Sequence, residues 1–223
     1  MKNNKISILF LGKKGDDCCN KASEFIEKSF NNVTYHIGKK DNPLPKEIEK
    51  WNGDYIISYL SPWIVPKNIL EKSNIAAINF HPATPNYPGT GCINFALYEG
   101  AEEYGVTCHY MESKVDTGKI IAVKRFPTTR NDNVSSLIKR TYNHQLILFY
   151  EIMGKIINNE PMPVSTENWT RKAFTRSELN ELSIIDPSMN EKEIERRIKA
   201  TSYKKFQPFI KICNHIFELK DIK

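Results

Sequence analysis

An amide and an imidazole stand two positions apart in Ile78-Asn79-Phe80-His81-Pro82. On an extended strand, residues i and i+2 project from one face, so Asn79 and His81 would point together into the space beyond the strand end. Asp116 follows in Val115-Asp116-Thr117-Gly118, a turn sequence between two further predicted strands, from which a carboxylate can approach the same space. Together the three groups suit acyl transfer: an amide N–H stabilises an oxyanion, an imidazole shuttles protons, and a carboxylate orients or charges the imidazole. Singly, each has a plainer reading, because His-Pro after a strand and Asp-Thr-Gly are both ordinary turns. An aspartic-protease site needs two facing carboxylates, and the chain has a single Asp-Thr-Gly.

The elements that must position these residues are legible as short apolar runs ending in polar loops. Ile6–Leu11, Val33–Ile37, Tyr55–Leu60 and Ile75–His81 read as strands of a buried parallel sheet. Asp16 or Asp17 caps a predicted helix with Cys19, Ala22, Phe25, Ile26 and Phe30 on its apolar face. A short helix lies between Gly91 and Gly100, followed by alternating strands over Tyr104–Met111 and Lys119–Phe126. Asn133 caps a long helix to about Asn158 with Leu137, Ile138, Leu146, Phe149, Ile152 and Ile156 as its stripe. Beyond Pro163 come a loop-like stretch with Trp169, an amphipathic helix near Glu191–Ala200, and apolar runs at Phe209–Ile212 and Ile216–Ile222 that flank an Asn214-His215 turn. The expected fold is α/β, a Rossmann-like mostly parallel sheet with a small C-terminal helix and β-hairpin appendage: a catalytic domain over residues 1–163 and an extension over 164–223.

Composition narrows the function classes. The 223 residues, 40% hydrophobic and 26% charged, suffice for one sizeable α/β core but not for two full enzymatic domains. The net charge of +6 is spread over both parts, which argues against a nucleic-acid arm and for anionic small ligands. No apolar run approaches a membrane span, and the polar start Met1-Lys2-Asn3-Asn4 lacks the centre of a signal peptide, so a cytoplasmic location is expected. The five cysteines are odd in number and lack CxxC spacing; they read as reduced thiols, and no metal is called for. His109 reads as a packed strand residue, His36, His144 and His215 as surface or satisfied ones, and Arg196-Arg197…Lys199 as a solvated helix face.

Asn79-x-His81-Pro82, the Pro85…Tyr87-Pro88-Gly89 loop, Gly105-Val106-Thr107-x-His109-x-Met111 and Val115-Asp116-Thr117-Gly118, in this order, resemble the formyltransferase family over residues 54–127. That family includes glycinamide ribonucleotide, methionyl-tRNA and sugar N-formyltransferases. The resemblance implies that Asn79, His81 and Asp116 are the catalytic residues and that 10-formyltetrahydrofolate is the cosubstrate. It implies folate contacts from Ser61, Pro62, Trp63, Ile64 and Val65 on one side and Glu112, Ser113, Lys114 and Val115 on the other.

The continuation Tyr87-Pro88-Gly89-Thr90-Gly91-Cys92-Ile93-Asn94 is most similar to the sugar N-formyltransferases, and residues 164–223 are too few for the further β-barrel domain of a tRNA formyltransferase. The implied acceptor is an amino-dideoxy sugar on a nucleoside diphosphate, dTDP being expected, with the product destined for surface polysaccharide such as O-antigen. Pro82, Ala83, Tyr87 and Gly89 would frame it; Gly12, Lys13 and Lys14, in the first βα loop, or Arg171 and Arg176, in the tail, would hold its phosphates. Strand alternation favours Lys13 over Lys14. A purine-type formyltransferase, a folate-binding hydrolase and a folate sensor are the alternatives. The apolar runs of the tail, too short to fold alone, imply a homodimer.

Overall fold

The computed structural model describes residues 3–220, and the alternation of apolar residues along its strands accounts for its layers. In β1 (Asn3–Lys13), Ile8 and Phe10 face one side and Leu9 and Leu11 the other, all four fully buried. A strand buried on both faces has to be internal. β1 lies between and parallel to β2 (Phe30–Gly38) and β3 (Gly53–Tyr59). β4 (Ser73–His81) runs parallel to β3, while β5 (Glu103–Tyr110) and β6 (Ile120–Pro127) add antiparallel pairings, giving the order β2-β1-β3-β4-β5-β6. The expected Rossmann-like, mostly parallel sheet is therefore what forms, with an antiparallel flank.

One face is covered by α1 (Asp17–Ser29) and α4 (Val134–Ile157). Asp16 caps α1 by accepting the N–H groups of Cys18 and Cys19; Asn133 and Ser136 form a capping box on α4. Phe149 of α4 is the centre of this layer, with ring contacts to Phe25, Tyr59 and Phe80. The other face is covered more thinly, by a 3-10 turn at Lys46–Lys50 and α2 (Lys67–Leu70), against Leu9, Leu11, Ile56 and Ala77. A third cluster joins α3 (Cys92–Glu99) to α6 (Glu191–Thr201) through Tyr104, Leu182 and Ala200.

Several boundaries differ from expectation. Phe30 is not the end of the helical stripe: its extended dihedrals (φ −130°, ψ 148°) close α1 and begin β2, while its side chain still joins the cluster of Ile26. The stretch after Pro163 contains α5 (Arg176–Leu182), whose signal was the reciprocal cap of Thr175 and Glu178. Arg196, Arg197 and Lys199 are not merely solvated. Arg197 donates to the Glu181 and Ile184 carbonyls at the end of α5, Arg196 to the Tyr98 carbonyl and Lys199 to that of Arg130. The hairpin is present as β7 (Phe209–Ile212) and β8 (His215–Glu218), but its turn is Cys213-Asn214, because Ile212 pairs with His215. Ile222, in the second apolar run, and Met1 and Lys2, in the polar start, lie outside the described residues.

Phe149 supports Phe80, the residue between Asn79 and His81, so it ties core packing to the site. Phe149→Ala should lower stability by about 3–5 kcal/mol, read as a shift in the urea unfolding midpoint.

Candidate active site

The parity that sorts the core also builds the site. Leu9, Leu11 and Lys13 share a face with Ile56 and Ser58 of β3 and Ala77, Asn79 and His81 of β4. The apolar members of these rows lie under the thin layer, and the polar members at the strand ends open into a cavity of about 410 Å³. Such a crevice beyond the carboxyl ends of parallel strands, where the order reverses about β1, is where α/β sheets bind ligands.

Antiparallel pairing of β4 with β5 sets Asn79 opposite His109 and His81 opposite Thr107. His109, expected to be a packing residue, is thus brought into the site by register: its Nε2 lies 3.1 Å from Asn79 Nδ2 and 3.3 Å from Asp116 Oδ1, while Nδ1 donates to the Tyr110 carbonyl. His81 Nδ1 lies 3.2 Å from Asp116 Oδ2 and Nε2 lies 2.9 Å from the Tyr87 carbonyl oxygen. His81 thus stands between a carboxylate on its Nδ1 side and a backbone carbonyl on its Nε2 side.

Asp116 is 7% exposed and has a positive φ of 48°, a conformation that Asp tolerates better than most residues. Its Oδ2 also accepts the Gly89 N–H at 2.7 Å. Burial pushes its carboxyl up, but His81, His109 and the Gly89 N–H together hold it well below the usual carboxylate range. Gly118 makes the turn possible: a Cβ there would stand 1.8 Å from the Tyr110 carbonyl oxygen.

Of the expected folate residues, Ser61, Pro62, Trp63, Ile64, Val65, Glu112, Lys114 and Val115 line the cavity; Ser113 is exposed outside it. Trp63 is held by its indole N–H, which donates to the carbonyls of Asn42 and Pro43. Of the expected substrate residues, Lys13 and Pro82 line the same cavity. Lys13 bonds to Tyr142 Oη at 3.3 Å and lies 3.7 Å from Asp16; burial opposes its charge, but these partners outweigh it and hold its pKa above the usual lysine value.

The remaining candidates are elsewhere. Gly12 has the parity of Phe10 and faces α1, where a Cβ would meet Cys19 Sγ at 2.6 Å; Lys14 is exposed. Ala83 and Tyr87 are buried in the third cluster, and Gly89 serves Asp116 through its backbone. Arg171 pairs with Glu99 over the Tyr87 ring, and Arg176 is an exposed first residue of α5; neither lines the cavity. Sequence reasoning missed Lys40, Ser58, Met111 and Tyr142, which also line it. Among the described residues no group of three or more His, Cys, Asp and Glu side chains is arranged to hold a metal ion.

The tail reaches the site as a strap. Arg125 of β6 grips Glu167 with both terminal guanidinium nitrogens, the Thr170 N–H donates to the Pro85 carbonyl, and Phe174 exchanges backbone hydrogen bonds with Pro88 and Thr90. Between these anchors, Trp169 donates its indole N–H to the Gly118 carbonyl at 2.8 Å.

A Rossmann-like sheet gathers Asn79, His81, His109 and the buried Asp116 at its carboxyl edge, a set of groups suited to acyl transfer. A family profile described as formyl transferase matches residues 18–152, and the chain belongs to that family. GDP-perosamine N-formyltransferase of Brucella melitensis biotype 1 is 26% identical over 171 residues, covering 76% of this chain and 65% of that enzyme. Methionyl-tRNA formyltransferase of Levilactobacillus brevis is 25% identical over 148 residues, 66% of this chain and 47% of that protein. The chain thus spans 47% to 65% of the length of these relatives. Among solved structures, the N-formyltransferase from Helicobacter canadensis in complex with folinic acid and dTDP-3-aminofucose shares the fold, with a TM-score of 0.75 at 23% identity over 94% of this chain and 85% of that one.

Asp116 has a folded-state pKa below its unfolded value, so its contribution to stability is present above the unfolded pKa, about 4, and is lost as pH falls towards the folded one. The stability gap between the wild type and Asp116→Asn should therefore narrow as the pH drops from about 5 to 3, measured by urea unfolding. A gap independent of pH would contradict this linkage.

Proposed function

We propose that this chain transfers a formyl group from 10-formyltetrahydrofolate to the amine of a nucleotide-linked amino-dideoxy sugar, of the dTDP class, in surface polysaccharide synthesis. The observation that carries the reading is the hydrogen-bonded set of Asn79, His81, His109 and Asp116 on the wall of one cavity whose other residues suit a flat cosubstrate. Half-buried Trp63 with exposed Ile64 on one rim, and Val115 on the other, offer apolar surface to a planar ring, and the loop backbone offers donors and acceptors to its edge.

When bound, the folate supplies the formyl group. The Asn79 amide donates a hydrogen bond to the negative charge that develops on the formyl oxygen. Asp116 holds His81 in place, and because Nε2 faces the Tyr87 carbonyl, the proton that the attacking amine loses passes by the His81 Nδ1–Asp116 pair to the folate nitrogen as its bond to the formyl carbon breaks and the new amide bond forms. Lys13, at the same cavity, anchors the pyrophosphate, and remote binding of that group places the amine for attack.

Incubation with 10-formyltetrahydrofolate and a panel of nucleotide amino sugars, read by mass spectrometry, should show the gain of one formyl group on a dTDP-linked sugar. A formylated GDP-sugar would change the nucleotide, and a formylated ribonucleotide or tRNA the acceptor. Free formate alone would indicate a hydrolase, and no turnover a sensor. His81→Asn and Asp116→Asn should each lower kcat by about 10²–10⁴-fold in folded protein. Lys13→Ala should raise KM for the nucleotide sugar with folate KM unchanged, and Arg176→Ala should leave both unchanged. The reverse pattern would move the phosphate site to the tail.

The homodimer belongs to the same reading. Ile212, Ile216 and Phe217 expose more than half of their surface on the hairpin, which supports pairing with a second copy. Light scattering at micromolar concentration should give a dimer that is lost when the chain ends at Gln207; a full-length monomer would refute it.

A further inference from the structure

Trp169 lies on the strap, outside the residues that the family profile matches, yet it touches both imidazoles of the cluster. Its ring centroid is 5.7 Å from that of His81 at an interplanar angle of 71°, and 5.0 Å from that of His109 at 88°. Edge-to-face contacts of this kind prefer one ring orientation over its neighbours. Its N–H is bonded to the Gly118 carbonyl, in the turn that carries Asp116. One indole thus contacts the two rings that flank the carboxylate and the backbone two residues beyond it.

We propose that Trp169 is a positioning residue of the transfer site, fixing the planes of His81 and His109 about Asp116 so that the tail segment completes the catalytic cluster. The proposal deepens the formyl-transfer reading and rests on it for its kinetic effect. Without the indole, both imidazoles keep their hydrogen-bond partners but lose the surface that restrains their tilt. The indole does not line the cavity, so its removal acts on orientation rather than on folate binding. Asp116 is the charged group in contact with both rings, and the other charged and titratable groups of the same cavity wall are Glu112 and Lys114 from the β5–β6 connection, Lys13 from β1, Tyr142 from α4, and Lys40.

The test compares the full chain with Trp169→Leu and Trp169→Phe, each checked for folding by thermal unfolding. Loss of orientation costs rate more than affinity, so Trp169→Leu should lower kcat about tenfold or more while folate KM stays within about twofold. Trp169→Phe keeps a ring against the imidazoles and should recover most of that loss. Independently of any substrate, the NMR titrations of the His81 and His109 ring protons, assigned with His81→Asn and His109→Asn, should shift in Trp169→Leu and shift less in Trp169→Phe. Unchanged kcat and unchanged titrations in both variants would overturn the proposal, as would a rise in KM alone. If the wild type transfers no formyl group to any amine, the formyl-transfer reading fails, and the titrations still decide: identical ring signals in wild type and Trp169→Leu refute the positioning role.

Discussion

The carboxylate of Asp116 is the interaction on which the rest of the site depends. It is buried, ionised and served from three directions, by His81 at the end of β4, by His109 in β5 and by the Gly89 N–H of the loop that follows β4. A buried charge is costly unless its partners are all present, so those three segments are fixed relative to one another as long as the charge is kept. The cost extends into the backbone, where Asp116 takes a positive φ and the next turn residue but one must be glycine. These features make the cluster a rigid unit rather than three side chains that happen to meet.

Around that unit the two faces of the sheet have different tasks. The face under α1 and α4 is a thick aromatic and aliphatic layer centred on Phe149, and it holds the strand ends still. The opposite face is covered, among the described residues, by a 3-10 turn and one short helix, which leaves the polar ends of three strands open to a ligand. The strap from the tail then closes the remaining side, gripped by Arg125 at one end and by the backbone of residues 88–90 at the other. Chemistry, access and closure are thus distributed over separate layers.

How much of this could be read from sequence follows from the range of each signal. The strands, the long helix and the pairing of Asn79 with His81 rest on alternation and spacing within a few residues, and those readings hold. Lys13 over Lys14 is the same kind of inference, and parity does place Lys13 at the cavity. His109 reads as packing because its place beside Asn79 comes from antiparallel register with β4, a relation between strands that no local pattern carries. Trp169 sits in a stretch with no periodicity at all, and its contacts span more than fifty residues of chain, as in its bond to Gly118. Arg171 is expected near the phosphates by charge alone, and its partner in the structure, Glu99, stands seventy-two residues away, beyond the reach of a local pattern. Gly12 reads as part of a ligand loop because it ends a strand, and the close approach of Cys19, which leaves no room for a side chain there, is a tertiary contact.

The β4–β5 register has a bearing on how chains of this design can vary in length. Asn79 meets His109 only because they are cross-strand neighbours, and side chains alternate with a period of two. One residue inserted between Thr107 and His109 would turn the imidazole to the opposite face and bring Cys108 or the inserted residue against Asn79. The connection from residue 82 to 102, by contrast, can lengthen or shorten away from Gly89 without disturbing that alignment. Insertions and deletions compatible with activity are therefore confined to the loops, and the stretch from Thr107 to His109 should hold its spacing even where its other residues drift.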